Sequence, residues 1–190
     1  MAQDTFTRAN QAYWGKASDG LTWGGDANSQ SPFSIKNNVG QIANGSGPYN
    51  ALLGPTATDA EVLFTSSISS FSNNNLGAVL RWQDSNDWYK AYINGTQLVV
   101  QKRVGGTTTT LSQVNFTAAV NTLYDLRFEV VGTTLYAKAW AAASTEPSTW
   151  AITTMDSSLA SGQCGLRLQV LSATSASITS FEAINPANGA

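Results

Sequence analysis

Residues 77–93, Gly-Ala-Val-Leu-Arg-Trp-Gln-Asp-Ser-Asn-Asp-Trp-Tyr-Lys-Ala-Tyr-Ile, place aromatic, cationic and amide side chains on two β-type runs around a polar turn. Strand alternation sorts these side chains into two sets. Val79, Arg81 and Gln83 share one register and Leu80 and Trp82 the other. Past the turn, Tyr89, Ala91 and Ile93 oppose Trp88, Lys90 and Tyr92. At least one face of the hairpin therefore mixes rings with charged groups. Such a face suits a flat, hydroxylated ligand, because a ring covers its C–H surface while Arg, Lys and Gln bond its oxygens. A saccharide has that chemistry.

Two later runs extend the same logic. With Leu126, Phe128 and Val130 inward, Arg127 and Glu129 face outward. With Leu135, Ala137 and Ala139 inward, Tyr136, Lys138 and Trp140 face outward. Joined by Arg81, Lys90 and Arg167, these groups would gather half of the ten Lys and Arg residues on one sheet face. The expected ligand-binding set is Arg81, Trp82, Trp88, Lys90, Tyr92, Arg127, Glu129, Lys138, Trp140 and Arg167. The competing reading is a solvated face of cross-strand ion pairs, Glu129 with Lys138 for instance, each contributing only ~0.2–1 kcal/mol. Trp14, Trp23 and Trp150 accompany loop-type sequence and are expected to cap the core.

The composition excludes several chemistries. Histidine is absent, which removes the usual nucleophilic triads, the commonest base near neutral pH and most zinc sites. The single Cys164 lies in the apolar run Cys-Gly-Leu-Arg-Leu and reads as a buried, inert thiol. A net charge of −2 supplies no basic field for phosphates, so neither nucleic acid nor an anionic membrane is an expected partner. No run approaches the roughly 18 apolar residues of a spanning helix, so no membrane insertion is expected. The start Met1-Ala2-Gln3-Asp4 has no basic or apolar leader. Export through a removed signal, or release with a phage particle, is the expectation that goes with it.

The elements that must position these residues are strands. Charged residues make up 12% of the chain, and its polarity comes from hydroxyls and amides, as in extracellular β-proteins. Strands are predicted near 4–8, 33–36, 39–43, 50–54, 60–69, 76–84, 88–94, 97–104, 107–112, 123–131, 134–141, 149–153, 163–171 and 175–184. Asn94-Gly95, Gly105-Gly106 and Val131-Gly132-Thr133 are hairpin turns that impose antiparallel pairing. That many antiparallel strands fill two packed sheets, so the fold class is all-β, a two-sheet sandwich with little or no helix. One domain is expected over 1–184, with 10–32 as a pinned loop and 185–190 as a linker-like tail.

A family resemblance covers nearly the whole chain. Its marks are Asp4-Thr-Phe6-Thr-Arg8, Trp14-Gly15 with Trp23, Ala60-Glu61-Val62, and Gly77-Ala-Val-Leu-Arg81 with Asp84. Tyr89-Lys-Ala91, Leu123-Tyr-Asp-Leu-Arg127, Leu135-Tyr-Ala-Lys138-Ala-Trp140, Glu146-Pro147 with Trp150, and Phe181 complete them. In order and spacing they resemble the concanavalin A-like (laminin G-like) jelly rolls of bacterial secreted proteins and phage tail proteins. The resemblance implies two curved antiparallel sheets and, often, a non-catalytic, lectin-like module with glycan on the concave face. The expected partner is then a glycan or cell-surface polysaccharide, and the expected place is extracellular, on a cell surface or on a virion. A structural or adhesion subunit of a fibre or phage tail is the alternative.

Laminarinase-type enzymes of this fold use a Glu-x-Asp-x-x-Glu pattern to bring two glutamates together on one strand. Here Glu61, Glu129, Glu146 and Glu182 stand apart in sequence, so a glycoside hydrolase or lyase is the less favoured expectation. No cofactor is required by this reading. Related jelly rolls often hold a structural Ca2+, and Asp4 and Glu182, near the chain ends, are the expected pair for one.

Overall fold

The computed structural model describes residues 1–186, so residues 187–190 of the expected tail lie outside the described residues. Strands form at Ala2–Asp4 (β1), Gln11–Ala12 (β2), Gly24–Gly25 (β3), Phe33–Lys36 (β4), Val39–Ala43 (β5), Gly47–Leu52 (β6), Ala60–Ile68 (β7) and Leu76–Asp84 (β8). They continue at Asp87–Ile93 (β9), Gln97–Val104 (β10), Thr107–Asn115 (β11), Tyr124–Val131 (β12), Thr134–Ala141 (β13), Ile152–Met155 (β14), Gln163–Val170 (β15) and Ser175–Ile184 (β16). A 3-10 turn forms at Asp26–Asn28. No helix of the described residues is long and apolar enough to cross a membrane.

Two antiparallel sheets result. One has nine strands in the order β14, β13, β12, β7, β16, β5, β4, β2, with β1 also on β16. The other has seven in the order β11, β10, β9, β8, β15, β6, β3. The hairpin turns act as their residues require: Gly105 and Gly106 both take positive φ, 55° and 80°, which lets Val104 pair with Thr107 across a two-residue loop.

Alternation decides what fills the space between the sheets. Val62 and Phe64 of β7 and Leu126, Phe128 and Val130 of β12 meet Leu76, Ala78 and Leu80 of β8, Tyr89 and Ile93 of β9, and Leu166 and Leu168 of β15 in one buried cluster. Each such side chain stabilises the fold by about 1.5–3 kcal/mol on burial. Cys164 is buried in the same cluster, and desolvation pushes its thiol up to about 11, so it is inert.

The expected strand at 4–8 ends early, at Asp4. Phe6 has φ 54°, and its N–H turns back to the Asp4 carboxylate at 2.8 Å. This kink drives Phe6 into a ring cluster with Trp14 (5.0 Å), Trp23 (5.9 Å) and, beyond them, Phe33 and Phe181. Stacked and edge-to-face pairs of this kind contribute about 0.5–1.5 kcal/mol each beyond area burial. Trp14 and Trp23 are thus structural, and they pin 10–32 to the end of the sandwich.

Candidate functional site

The outer face of the seven-stranded sheet carries the candidate site. The Asn94-Gly95 turn fixes the register of β9 against β10 so that Trp88 lies opposite Arg103, Lys90 opposite Gln101 and Tyr92 opposite Val99. On the other side of β9, Lys90 pairs with Val79 and Tyr92 with Gly77 of β8. A Cβ at Gly77 would lie 2.6 Å from Lys90 Cε, so the glycine is what lets the lysine side chain lie across β8. Next come Arg167 and Gln169 of β15, paired with Asn50 and Pro48 of β6. These strands line a shallow depression of about 200 Å3, bordered by Asn75, Trp88, Lys90, Tyr92, Gln101, Arg103, Arg167 and Gln169.

Inside it the polar groups are held by neutral partners. The Arg167 guanidinium lies over Trp88 (4.9 Å) and Trp82 (5.6 Å) and donates to Asn50 Oδ1. Lys90 Nζ donates to Asn75 Oδ1 at 2.6 Å and sits 4.6 Å from the centre of the Tyr92 ring. Burial, and secondarily the Arg167 charge, hold the Lys90 ammonium well below the ordinary lysine value. Gln101 donates to the Tyr92 hydroxyl at 3.1 Å. The buried Arg103 Nε has no hydrogen-bond partner. Chemically, the depression offers several N–H donors and one half-exposed phenol.

Half of the expected set lies here: Trp82, Trp88, Lys90, Tyr92 and Arg167. The two tryptophans differ from their expected role as open stacking platforms. They are 8% and 3% exposed and serve as the support on which Arg167 rests.

Arg81 is a correction. A bulge between Leu80 and Asp84, with Arg81 at φ 49°, breaks the alternation, so Leu80 stays in the core while Trp82 joins the outer face. Leu80 and Trp82 therefore do not share a face. Arg81 is buried and donates to the carbonyls of Thr58 (2.8 Å), Leu159 (2.6 Å) and Gly132 (2.6 Å), which ties both sheets together at one end of the sandwich.

Arg127, Glu129, Lys138 and Trp140 are a second correction. They stand on β12 and β13 of the nine-stranded sheet, on the far side of the molecule from Lys90 and Arg167. Segment 142–151 is fastened over them. Glu146 pairs with Arg127 (2.8 Å) and Lys138 (2.7 Å), Lys138 donates to the Pro147 carbonyl (2.8 Å), and Trp150 packs on Tyr136 and Lys138. Trp140 is 7% exposed, with the Lys138 ammonium 5.9 Å from its ring. The expected Glu129–Lys138 pair is replaced by a contact of Glu129 with Glu61, its direct neighbour across β7, while Glu61 pairs with Arg127.

That contact predicts a pH effect. Burial first, then the Glu61 carboxyl, raises the Glu129 carboxyl from 4.5 to about 7, against the pull of Arg127 and Lys138. A raised folded-state value means that protonated Glu129 contributes stability below about pH 4.5, and that this contribution is lost as the pH rises through about 7. Glu129→Gln mimics the protonated form. Its stability relative to the parent is expected to rise by about 1 kcal/mol across that window, a figure discounted for the solvent screening of a half-buried group. Urea unfolding of both proteins over the window checks this, and a pH-independent difference would refute it.

The expected metal pair does not converge. The Asp4 carboxylate is buried and takes N–H donors from Arg8 (2.8 and 2.9 Å), Trp23 (2.6 Å), Phe6 and Ser18. Glu182 is exposed and paired in register with Gln3, next along β16 from the buried Phe181 that faces Asp4. No group of three or more His, Cys, Asp or Glu side chains able to hold a metal occurs among the described residues.

Sequence reasoning missed Asn75, Gln101, Arg103 and Gln169. The signal for two of them was present, since the Asn94-Gly95 hairpin sets which β10 residues face Trp88 and Lys90. Asn75 and Gln169 meet through an isolated bridge between segments far apart in the chain, which no local pattern announces.

No protein-family model and no curated protein sequence matches the chain. Solved structures do. The carbohydrate binding module CBM66 from Bacillus subtilis superimposes with a TM-score of 0.58 at 20% identity, covering 74% of this chain and 85% of that one. The GH43 protein BlXynB from Bacillus licheniformis gives 0.68 at 13% identity, and this chain, 96% covered, spans only 39% of its length. The VIP36 exoplasmic/lumenal domain in its Ca2+/Man3GlcNAc-bound form gives 0.61 at 10% identity, covering 87% of this chain and 83% of that one. At such identities the likeness is one of fold. With its strands divided between two antiparallel sheets and these structures as its likenesses, the chain has a concanavalin A-like jelly-roll fold.

Proposed function

We propose that this domain is a non-catalytic glycan-binding module that holds saccharide in the depression on the outer face of the seven-stranded sheet, and that it works at an extracellular or lumenal surface. One observation carries the reading: Arg167, Gln101, Tyr92 and their neighbours converge on one open depression from β9, β10 and β15, already oriented by rings and amides. Preformed polar groups of this kind fix the orientation of a hydroxylated ligand at small entropic cost. Two structures of similar fold, a carbohydrate binding module and an exoplasmic/lumenal domain in its Man3GlcNAc-bound form, support the same reading.

The carboxylate geometry supports binding over hydrolysis. Glycoside cleavage requires two carboxyl groups about 5 Å or more apart, flanking the bond. Glu61 and Glu129 instead touch each other, and Glu61 is buried against Arg127. Among the described residues that line the depression, none is a carboxylate.

Isothermal titration against a panel of soluble oligosaccharides tests the proposal. At least one is expected to bind, and Arg167→Ala to weaken it by about tenfold or more, since a charged hydrogen bond contributes ~1.5–3 kcal/mol. Lys36→Ala, an exposed position on the other sheet, serves as the control and leaves affinity unchanged. Absence of heat with every sugar, or a folded Arg167→Ala variant that binds as the parent does, overturns the reading.

A further inference from the structure

The three cations of the depression differ from the rest of the chain. Among the described residues, every other buried or half-buried cation has a carboxylate partner: Arg8 has Asp4, Arg81 Asp59, Lys102 Asp156, Arg127 Glu61 and Glu146, and Lys138 Glu146. Lys16 and Lys36 are exposed to water. Lys90, Arg103 and Arg167 are neither paired nor fully exposed, and they line the same 200 Å3 depression.

Their hydrogen-bond partners are neutral. Lys90 has Asn75, Arg103 reaches the Thr108 hydroxyl at 3.4 Å, and Arg167 has Asn50. Asp26 acts on Arg167 from behind Asn50, its Oδ2 accepting the Asn50 backbone and side-chain amides at 2.8 and 3.4 Å. The cations also act on one another, Arg167 on Lys90 and Arg103 on Arg167. Holding like charges together, desolvated and without a carboxylate in contact, is costly, and an anion placed among them would relieve both desolvation and repulsion. Arg103 Nε, buried without an acceptor, is the donor such an anion would satisfy.

We propose that the depression selects an anionic saccharide, a uronate-bearing glycan whose carboxylate sits among Lys90, Arg103 and Arg167 while its hydroxyls meet Gln101, Gln169 and Tyr92. The inference rests on the glycan-binding reading and adds the class of glycan. A carboxylate matches the planar fork of a guanidinium, which rewards a uronate above a neutral hexose. The amides along the rim supply hydroxyl contacts that neither add nor cancel charge.

The test is titration of the intact chain with oligogalacturonate and with the same oligomer fully methyl-esterified, which keeps the backbone and removes the charge. The acid form is expected to bind about tenfold or more tightly than the ester, and its advantage to shrink as salt is raised. Arg103→Gln is expected to cut binding of the acid form by about tenfold and to narrow the gap between acid and ester. Lys90→Met, which keeps an apolar stem in place, is the second variant should the first not fold, with the same expectation. Equal binding of acid and ester overturns the charge inference and leaves the glycan-binding proposal standing. Binding of a sulfated oligosaccharide with none of the uronate likewise overturns it, assigning a different anion. Failure of every sugar, charged or neutral, overturns both.

Discussion

Asp4→Ala is expected to cost about 3–5 kcal/mol of folding free energy, because it leaves the buried Trp23 indole N–H without its acceptor and strips the part-buried Arg8 guanidinium of its carboxylate. The Asp4 carboxylate organises three parts of the chain. It closes the Phe6 kink through the Phe6 N–H, receives Ser18 N–H from the pinned loop and anchors Trp23. Removing it loosens the cluster of Phe6, Trp14, Trp23 and Phe181 that seals one end of the sandwich. For a domain of total stability near ~5–15 kcal/mol the loss is a large share. Urea denaturation followed by tryptophan fluorescence measures it, and a loss under about 1 kcal/mol would show that water replaces these bonds without penalty.

Arg81→Ala is expected to cost a similar ~3–5 kcal/mol, since three carbonyls from separate segments lose a charged donor and stay partly shielded from water. A second consequence follows from the bulge. Arg81 at φ 49° is an unfavourable conformation for a non-glycine residue, and its hydrogen bonds hold it there. Without them β8 gains by relaxing toward regular pleating, which would turn Trp82 away from the outer face and remove one of the two rings under Arg167. Affinity for the glycan proposed above should fall along with stability, although Arg81 touches no part of the depression. Arg81→Lys is expected to rescue little, because an ammonium cannot span carbonyls spaced around a planar guanidinium. Thermal melts and titrations on the two variants check both effects, and a variant with parental stability would refute the role.

The β-architecture was legible in the chain because hairpin turns and two-residue periodicity are local properties. Asn94-Gly95, Gly105-Gly106 and Val131-Gly132-Thr133 each close the antiparallel pairs their residues predict. Leu126, Phe128 and Val130 face inward with Arg127 and Glu129 outward, as alternation requires. Alternation failed at residue 81, where one left-handed residue shifts the phase of everything after it, and the hydrogen bonds that hold that residue come from segments 23, 51 and 78 positions away. Asp4 and Glu182 look like a pair near the chain ends. Register decides otherwise, because Asp4 is matched to Phe181 and Glu182 to the outward-facing Gln3.

By itself the sequence determined that this protein is a stack of antiparallel strands, which side chains of β12 and β13 face the core, and that its polarity comes from hydroxyls and amides with no histidine. Only the tertiary structure decided that Arg81, Lys90 and Arg167 belong to one sheet and Arg127, Lys138 and Trp140 to the other, with segment 142–151 closed over the second group. The physical reason is that periodicity separates inside from outside along a strand, whereas a sandwich has two outsides. Which of them a strand joins is settled by its hydrogen-bonded neighbours, and these lie far away in the chain.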